Sequence, residues 1–469
     1  MLFDSFVFSG IFLPLSLALF WLAPSNRLKQ LVLLFTSLLF YGYWNAAYVP
    51  LLIGMVFIAW TCARYAGSTS STWPVWLASV CLLGVLFFFK YMPFIENVFV
   101  DLRLITPDNK PNLHFALPLG ISFITFQSLG YVIDVHRKGT PAEPRFTAVL
   151  LFKAFYPQLI AGPICRARQL MPQVLGPFRC TRAQFLAGLA IFTIGLFLKF
   201  VFADGIATHV DALFSRPSGH TRLESWAAAY GFGCQIYADF WGYSTMAVGL
   251  AYMYGIELPI NFHLPYLSDS IREFWRRWHM TLSQWLRDYL YKPLGGSRHG
   301  RTRTVCALLV TMLLGGLWHG ANYTFMLWGL LHGAALSIEH LLRFPHSHGT
   351  TAASGPLNSL TRVAGWCYTM LIVCIGWILF RATDIGQALS IAESCFFGKD
   401  FGVVTPAVMQ ITFLTMALFL LQIPVHTAIR VLAEGKMPEE WSFACAFSLL
   451  LGTIVLGAPQ TRPFIYFQF

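Results

Sequence analysis

Residues 271–300 read IREFWRRWHMTLSQWLRDYLYKPLGGSRHG, and residues 313–333 read LLGGLWHGANYTFMLWGLLHG. The first stretch is dense in Arg and Trp and runs into a polar turn. The second holds two apolar segments, each with a histidine in a His-Gly pair, His319-Gly320 and His332-Gly333. An imidazole in apolar sequence loses hydration, and it persists only where something pairs with it or uses it. These residues predict membrane helices enclosing polar chemistry, and the rest of the chain reads as the vessel built around them.

Composition agrees. The chain has 469 residues, 56% hydrophobic and 11% charged, with mean hydropathy +0.60. A soluble domain carries about 25% charged residues. The formal net charge is +11, but the Lys and Arg lie mostly in short links between apolar runs, where the positive-inside rule and anionic headgroups account for them. No nucleic-acid module is visible. Ten cysteines without a CxxC pair, several inside apolar runs, predict neither a disulfide framework nor a zinc site. Met1–Gly10 has Asp4 and no basic region, so the first apolar run reads as a retained helix and not a cleaved signal.

Runs near the bilayer-crossing length of about 20 residues recur along the chain. They are Phe6–Ala23, Leu31–Trp44, Tyr48–Ala63, Trp73–Phe89, Phe115–Ile133, Gln184–Ala203, Trp226–Tyr254, Val305–Trp318, Tyr323–Ile338, Ala364–Phe380, Ile411–Val425 and Trp441–Leu456. A polar segment, Asp101–Lys110, separates two of them. Phe146–Ile164 is apolar but broken by Lys153, Pro157, Gly162 and Pro163, which fits a re-entrant or buried helix. Ile391–Val404 reads as a loop or surface helix. The expectation is about eleven spans in a single integral membrane domain, 1–469. Arg27 and Lys29 place the first link in the cytoplasm and the N-terminus outside.

On a helical wheel Phe274, Trp278, Leu282, Trp285 and Tyr289 share one arc, opposite Arg272, Arg276 and Arg287. This predicts an amphipathic helix in the membrane surface, with Trp at headgroup depth and His279 at its margin. Its arginines serve either as anchors or as a docking surface for an anionic donor. His319 serves either as a proton-transfer group near neutral pKa or as a hydrogen-bonded strut between helices. His332 lies thirteen positions later; if 320–322 turns the chain, the two histidines need not be adjacent. Asp239, within QIYADFWGYS, either orients an imidazole or pairs with an arginine, the pairing being the expected role. No HExxH spacing or carboxylate set accompanies the histidines, so no metal is predicted.

REFWRRWHMTLSQWLRDYLYKPLGG (272–296) and GGLWHGANYTFMLWGLLHG (315–333) together resemble the membrane-bound O-acyltransferases. The match is closest to the bacterial branch that acetylates alginate, with its peptidoglycan and cellulose counterparts. LPLGISFITFQSLGYVIDVHR (117–137), QLIAGPICR (158–166), QIYADFWGYSTMAVGLAYMYGIELPINF (235–262) and FIYFQF (464–469) agree. The resemblance implies an all-α polytopic membrane protein: a helical bundle around a central funnel or tunnel, with re-entrant or interfacial helices besides its spans.

By position in the motifs, His319 of LWHGA matches the family's essential histidine and His279 of RRWHMTLS the second. His332 matches a further histidine of the branch, with Asn322 and Asp239 in support. The resemblance further implies an acetyl-CoA or other acyl-thioester donor as substrate, no bound cofactor, and donor contacts at Arg272, Arg276, Arg277, Arg287 and Arg298. It implies a bacterial inner-membrane location, a periplasmic SGNH-type acetyltransferase partner and polysaccharide machinery outside. Two alternatives are D-alanyl transfer to teichoic acid and a non-enzymatic polymer-export or transport component.

Overall fold

A computed structural model describes residues 1–106, 116–160, 162–216, 218–342, 356–398, 400–459 and 462–467. Of the segments read above, 107–110, Phe115, Ala161 and Gln468–Phe469 lie outside the described residues. Every regular element among the described residues is a helix, the form that satisfies its own backbone in lipid. Among the described residues seven stretches are long and apolar enough to cross a bilayer: Ala46–Ser68, Trp73–Asp101, Arg182–Phe214, Arg301–His319, Leu360–Arg381, Pro406–Ala433 and Glu439–Leu456. The remaining expected runs form shorter or more polar helices. Phe6–Ala23 becomes Val7–Leu22, Leu31–Trp44 lies in a 17-residue helix, and Phe115–Ile133 overlaps a 16-residue one. Trp226–Tyr254 lies in a 32-residue helix rich in Gly, Tyr and Ser and carrying Asp239.

The chain forms two compact units, one of Met1–Phe192, Ser244–Pro259 and Gly435–Ala446, the other of Thr193–Tyr243, Ile260–Glu434 and Phe447–Phe469. The first holds helices α1 (Asn26–Gly42), α2 (Phe146–Ala154) and α3 (Ala167–Leu175). Its core is aromatic, with Phe40 and Tyr156 rings 5.3 Å apart and Phe8 and Phe40 5.8 Å apart. Of Phe146–Ile164, expected re-entrant or buried, residues 148–160 and 162–164 are buried, Phe146 is half-buried and Thr147 is exposed. α2 stops at Ala154 and a separate turn, Tyr156–Leu159, follows, because Pro157 has no N–H to continue the ladder. Lys153 is fully buried there; its ammonium donates to the Gln127 carbonyl at 2.6 Å and sits 4.3 Å from the Phe152 ring centre.

The second unit is organised on two hairpins. In the first, α4 (Arg301–His319) and α5 (Tyr323–Leu341) are joined by a three-residue turn in which the Asn322 side chain accepts from the Thr324 N–H and donates to the Thr383 carbonyl. The helices meet backbone to backbone. A Cβ on Gly316 would strike the Phe325 carbonyl, and one on Gly329 the Met312 carbonyl. Small residues at such crossings let membrane helices approach where no hydrophobic force drives them together.

The second hairpin corrects the wheel. The Arg-Trp stretch is not one amphipathic helix; it breaks into Ile271–Arg277 and Met280–Leu286, followed by a π-helical turn, Arg287–Tyr291. Trp278 is extended and His279 adopts the left-handed conformation, φ 40° and ψ 56°. Tertiary hydrogen bonds hold the break. The Asn261 carbonyl accepts from the Met280 N–H at 2.9 Å and the Arg277 carbonyl from the His263 N–H at 3.0 Å, while the Thr281 hydroxyl donates to Asn261 Oδ1 at 2.7 Å. One foot is fixed where both carboxylate oxygens of Glu339, near the end of α5, accept from the N–H groups of Ile271 and Arg272. The other foot lies at the start of α4, where Arg303 Nε donates to the Leu294 carbonyl. The tip, His279, reaches Trp318 at the opposite end of α4. Phe274, Trp278 and Leu282 of the arc are buried, Trp278 against Tyr237, Phe262 and Trp377, while Trp285 and Tyr289 are half-buried.

Candidate active site

His319 is the last residue of α4, 5% exposed. Nineteen residues at about 1.5 Å each carry it some 28 Å along the axis from Arg301. Its imidazole stands in an aromatic box: ring centres lie 4.9 Å away for Trp318, 5.0 Å for Trp328, 5.2 Å for Phe380 and 5.5 Å for Tyr466. The Trp318, Trp328 and Phe380 contacts are edge-on and the Tyr466 contact is tilted, a packing that fixes the plane of the ring.

His279 shares that box. Its ring lies 6.2 Å from Trp318 and 4.6 Å from Phe240, and Phe240 lies 4.8 Å from Tyr466. The structure therefore brings together two histidines separated by forty positions, with Trp318 touching both. Burial pushes the His279 imidazole down to about 3, so it is neutral at physiological pH. His332 sits one ring further on, 4.9 Å from Trp328 and 5.3 Å from Trp275. Trp328 lies against both the α4 and the α5 histidine, and His332 stands nine residues past the start of α5. Position 376 must stay small beside it: a Cβ on Gly376 would lie 3.0 Å from His332 Nε2.

The supporting residues divide. Asn322 caps α5 and does not face an imidazole through any hydrogen bond described. Among the described residues Asp239 pairs with neither an arginine nor a histidine; its partner is Lys199. Lys199 Nζ lies 2.8 Å from both Asp204 and Asp239 in a cluster of almost fully buried side chains. The cluster also grips the chain near its end: Lys199 donates to the Arg462 carbonyl at 2.8 Å and the Ile465 N–H to Asp239 Oδ2 at 2.6 Å. That grip sets Phe464 and Tyr466 against Tyr243, Phe240 and His319. Sequence reading missed Lys199, Asp204, Trp328 and Tyr466 as parts of the site. A lysine five residues before an aspartate in an apolar run was the available signal.

The arginines cluster on the second hairpin and the turn after it, and several are already paired. Glu273 takes Arg277 at 2.7 Å and Arg276 at 3.6 Å, and Asp288 takes Arg287 at 3.0 Å. Arg272 is half-buried beside Glu339, and Arg298 is exposed with no ion pair among the described residues. No group of three or more His, Cys, Asp or Glu able to hold a metal occurs among the described residues.

A family model described as MBOAT, membrane-bound O-acyltransferase family, matches residues 52–380. The chain is 36% identical to the "Probable alginate O-acetylase AlgI" of Pseudomonas putida over the full length of both. It is 35% identical to the "Peptidoglycan O-acetyltransferase" of Helicobacter pylori over 84% of this chain and 79% of that one. It is 27% identical to the "Teichoic acid D-alanyltransferase" of Streptococcus thermophilus, over 73% and 81% respectively.

Proposed function

Because this multi-pass membrane chain belongs to the membrane-bound O-acyltransferase family, an acyltransferase by that membership, we propose that it O-acetylates an exported cell-envelope polysaccharide. The donor is a cytoplasmic acyl thioester, acetyl-CoA in this reading, and the location is the bacterial inner membrane. The identities to O-acetylases, 36% and 35% against 27% for the D-alanyltransferase, favour acetyl over D-alanyl. The family model runs through both compact units, which supports reading 1–469 as one functional domain.

One observation carries the site assignment: His319 and His279 converge on Trp318 at the end of α4 remote from its basic start. An imidazole is the side chain suited to take a proton at neutral pH and return it. His319 removes the proton of the accepting hydroxyl, on a partner serine, a sugar or water. The oxygen attacks the thioester carbonyl, the C–O bond forms and the C–S bond breaks. The proton then leaves His319 for the departing thiolate. Imidazole is also a nucleophile, so a transient acyl-His319 is a second route to the same products. His279, neutral and held at a backbone break, positions the thioester or relays the proton. Arg272, Arg298 and their neighbours at the basic end attract donor phosphates, while the hydroxyl arrives from the other side. Holding both reactants at one imidazole supplies part of the rate through proximity. A periplasmic SGNH-type partner then passes the acetyl group to polymer.

The test is transfer from labelled acetyl-CoA by reconstituted protein, wild type against His319→Ala at matched membrane levels. Label transfer by wild type that His319→Ala abolishes supports the reading. Undiminished transfer by the variant removes His319 from the mechanism, and no transfer from acetyl-CoA by wild type overturns the donor.

A further inference from the structure

The first unit contains a groove of about 490 Å³ between the starts of α1 and α2, within the usual size of ligand sites. Its polar end is basic. Arg27 lies in the first turn of α1, and Arg145 immediately precedes α2. Arg27 makes no ion pair among the described residues; Arg145 shares its Nε with Glu143 at 2.8 Å. Beyond the arginines and the polar Gln30 and Thr147, the lining is apolar: Leu31, Leu34, Ala148, Leu151 and Leu175. At about 1.5 Å per residue, Leu34 and Leu151 lie some 9–10 Å deeper than the arginines.

Three features define the occupant. Both helices present their N-terminal ends at the arginines, where the macrodipole favours negative charge. The start of α2 has no side-chain cap; the Ala148 and Val149 N–H groups donate to the Arg145 carbonyl, which leaves those of Phe146 and Thr147 for an acceptor. No carboxylate lines the groove, and Glu143 at its edge is already engaged by the Nε and backbone N–H of Arg145. A headgroup carrying a compensating ammonium would find no acid for it. The contrast with a second cleft of about 490 Å³, lined by Asp269 and Glu273 as well as Arg277 and Arg362, is direct.

We propose that this groove binds a phospholipid with a net negative headgroup, its phosphate at Arg27 and Arg145 and one acyl chain along Leu31, Leu34, Ala148 and Leu151. Basic pockets between membrane helices recognise lipids in this way.

The experiment measures retention of phosphatidylglycerol against phosphatidylcholine by purified full-length protein, using native mass spectrometry from mixed micelles, with no turnover involved. Its result is therefore independent of the acyl-transfer reading. Wild type should retain phosphatidylglycerol preferentially, and Arg27→Ala and Arg145→Ala should each weaken that retention about five-fold. Leu34→Trp, which fills the apolar end without touching the charges, should also abolish the preference; it keeps the question open to test if an arginine variant fails to fold. Equal retention of the two lipids by wild type overturns the proposal. So does full retention by the double arginine variant, or displacement of the lipid by equimolar inorganic phosphate.

Discussion

The hairpin of α4 and α5 and the hairpin that starts at Ile271 both deliver a histidine to the same tryptophan, and they do it by opposite means. His319 ends an unbroken 19-residue helix packed backbone to backbone on its neighbour. His279 sits at a break, in a left-handed conformation that costs an L-residue about 1–2 kcal/mol, stabilised by bonds from Asn261. The first device gives rigidity through close approach. The second gives a precise side-chain direction through local strain that its surroundings over-determine. One site thus combines a fixed post and a bent arm.

The largest expected effect falls on the fixed post. His319→Ala should lower acetyl transfer by about 10²–10⁴-fold with protein levels unchanged, read by polymer-bound or partner-bound label. If His279→Ala cost more than His319→Ala, the roles of post and arm would have to be exchanged. Acid comes next and acts on the arm. His279 is held neutral by burial, its pKa lowered to about 3, whereas the unfolded chain's imidazole titrates near about 6.5. The unfolded state therefore binds the proton first, and stability falls as pH drops from about 6.5 toward 3. Melting curves across that window should show the loss, and His279→Asn, which tolerates left-handed backbone, should reduce it without abolishing it, because His332 is buried as well. An unchanged slope would mean that His279 is not the group responsible.

A smaller effect probes the packing of the post. Gly316→Ala should cost about 1–3 kcal/mol, since its Cβ meets the Phe325 carbonyl, and detergent-phase unfolding would register it. A neutral result would show that the helices can part without penalty. Smallest of all, Arg276→Ala removes an exposed partner of Glu273 and should change stability by less than about 1 kcal/mol. A several-fold rise in KM for the donor, with kcat intact, would place Arg276 in donor attraction; no change would leave it an anchor.

How far these devices were readable from residues follows the same division. The post was legible, because an apolar run ending in Trp318-His319-Gly320 announces a helix, its end and its imidazole together. The arm was not. Trp278 and His279 include no proline or glycine, and a wheel drawn through them sees an uninterrupted apolar arc. The break is imposed by Asn261, eighteen positions away, whose role no local period encodes. Asp239 was recognised as a buried carboxylate in need of a cation, but arginine density at 272–303 drew the pairing away from Lys199, which meets it only in the fold. His319 ends α4 while His332 lies nine residues into α5, and the Trp328 ring that touches both is a contact no local pattern encodes.

The bond from the Ile465 N–H to Asp239 spans 226 positions, and that number is also a delay. At about 5–20 residues per second of synthesis, Asp239 enters the membrane roughly 10–45 seconds before its backbone partner exists. Through that interval Lys199, which it shares with Asp204, must hold it alone, and the box around His319 stands without its Tyr466 wall. A nascent chain passing through the insertion machinery therefore carries an unfinished site until residues 462–466 have been made. Ribosome-stalled chains ending before and after 462–466 would differ in protease protection at 239–243, which makes the order of construction measurable.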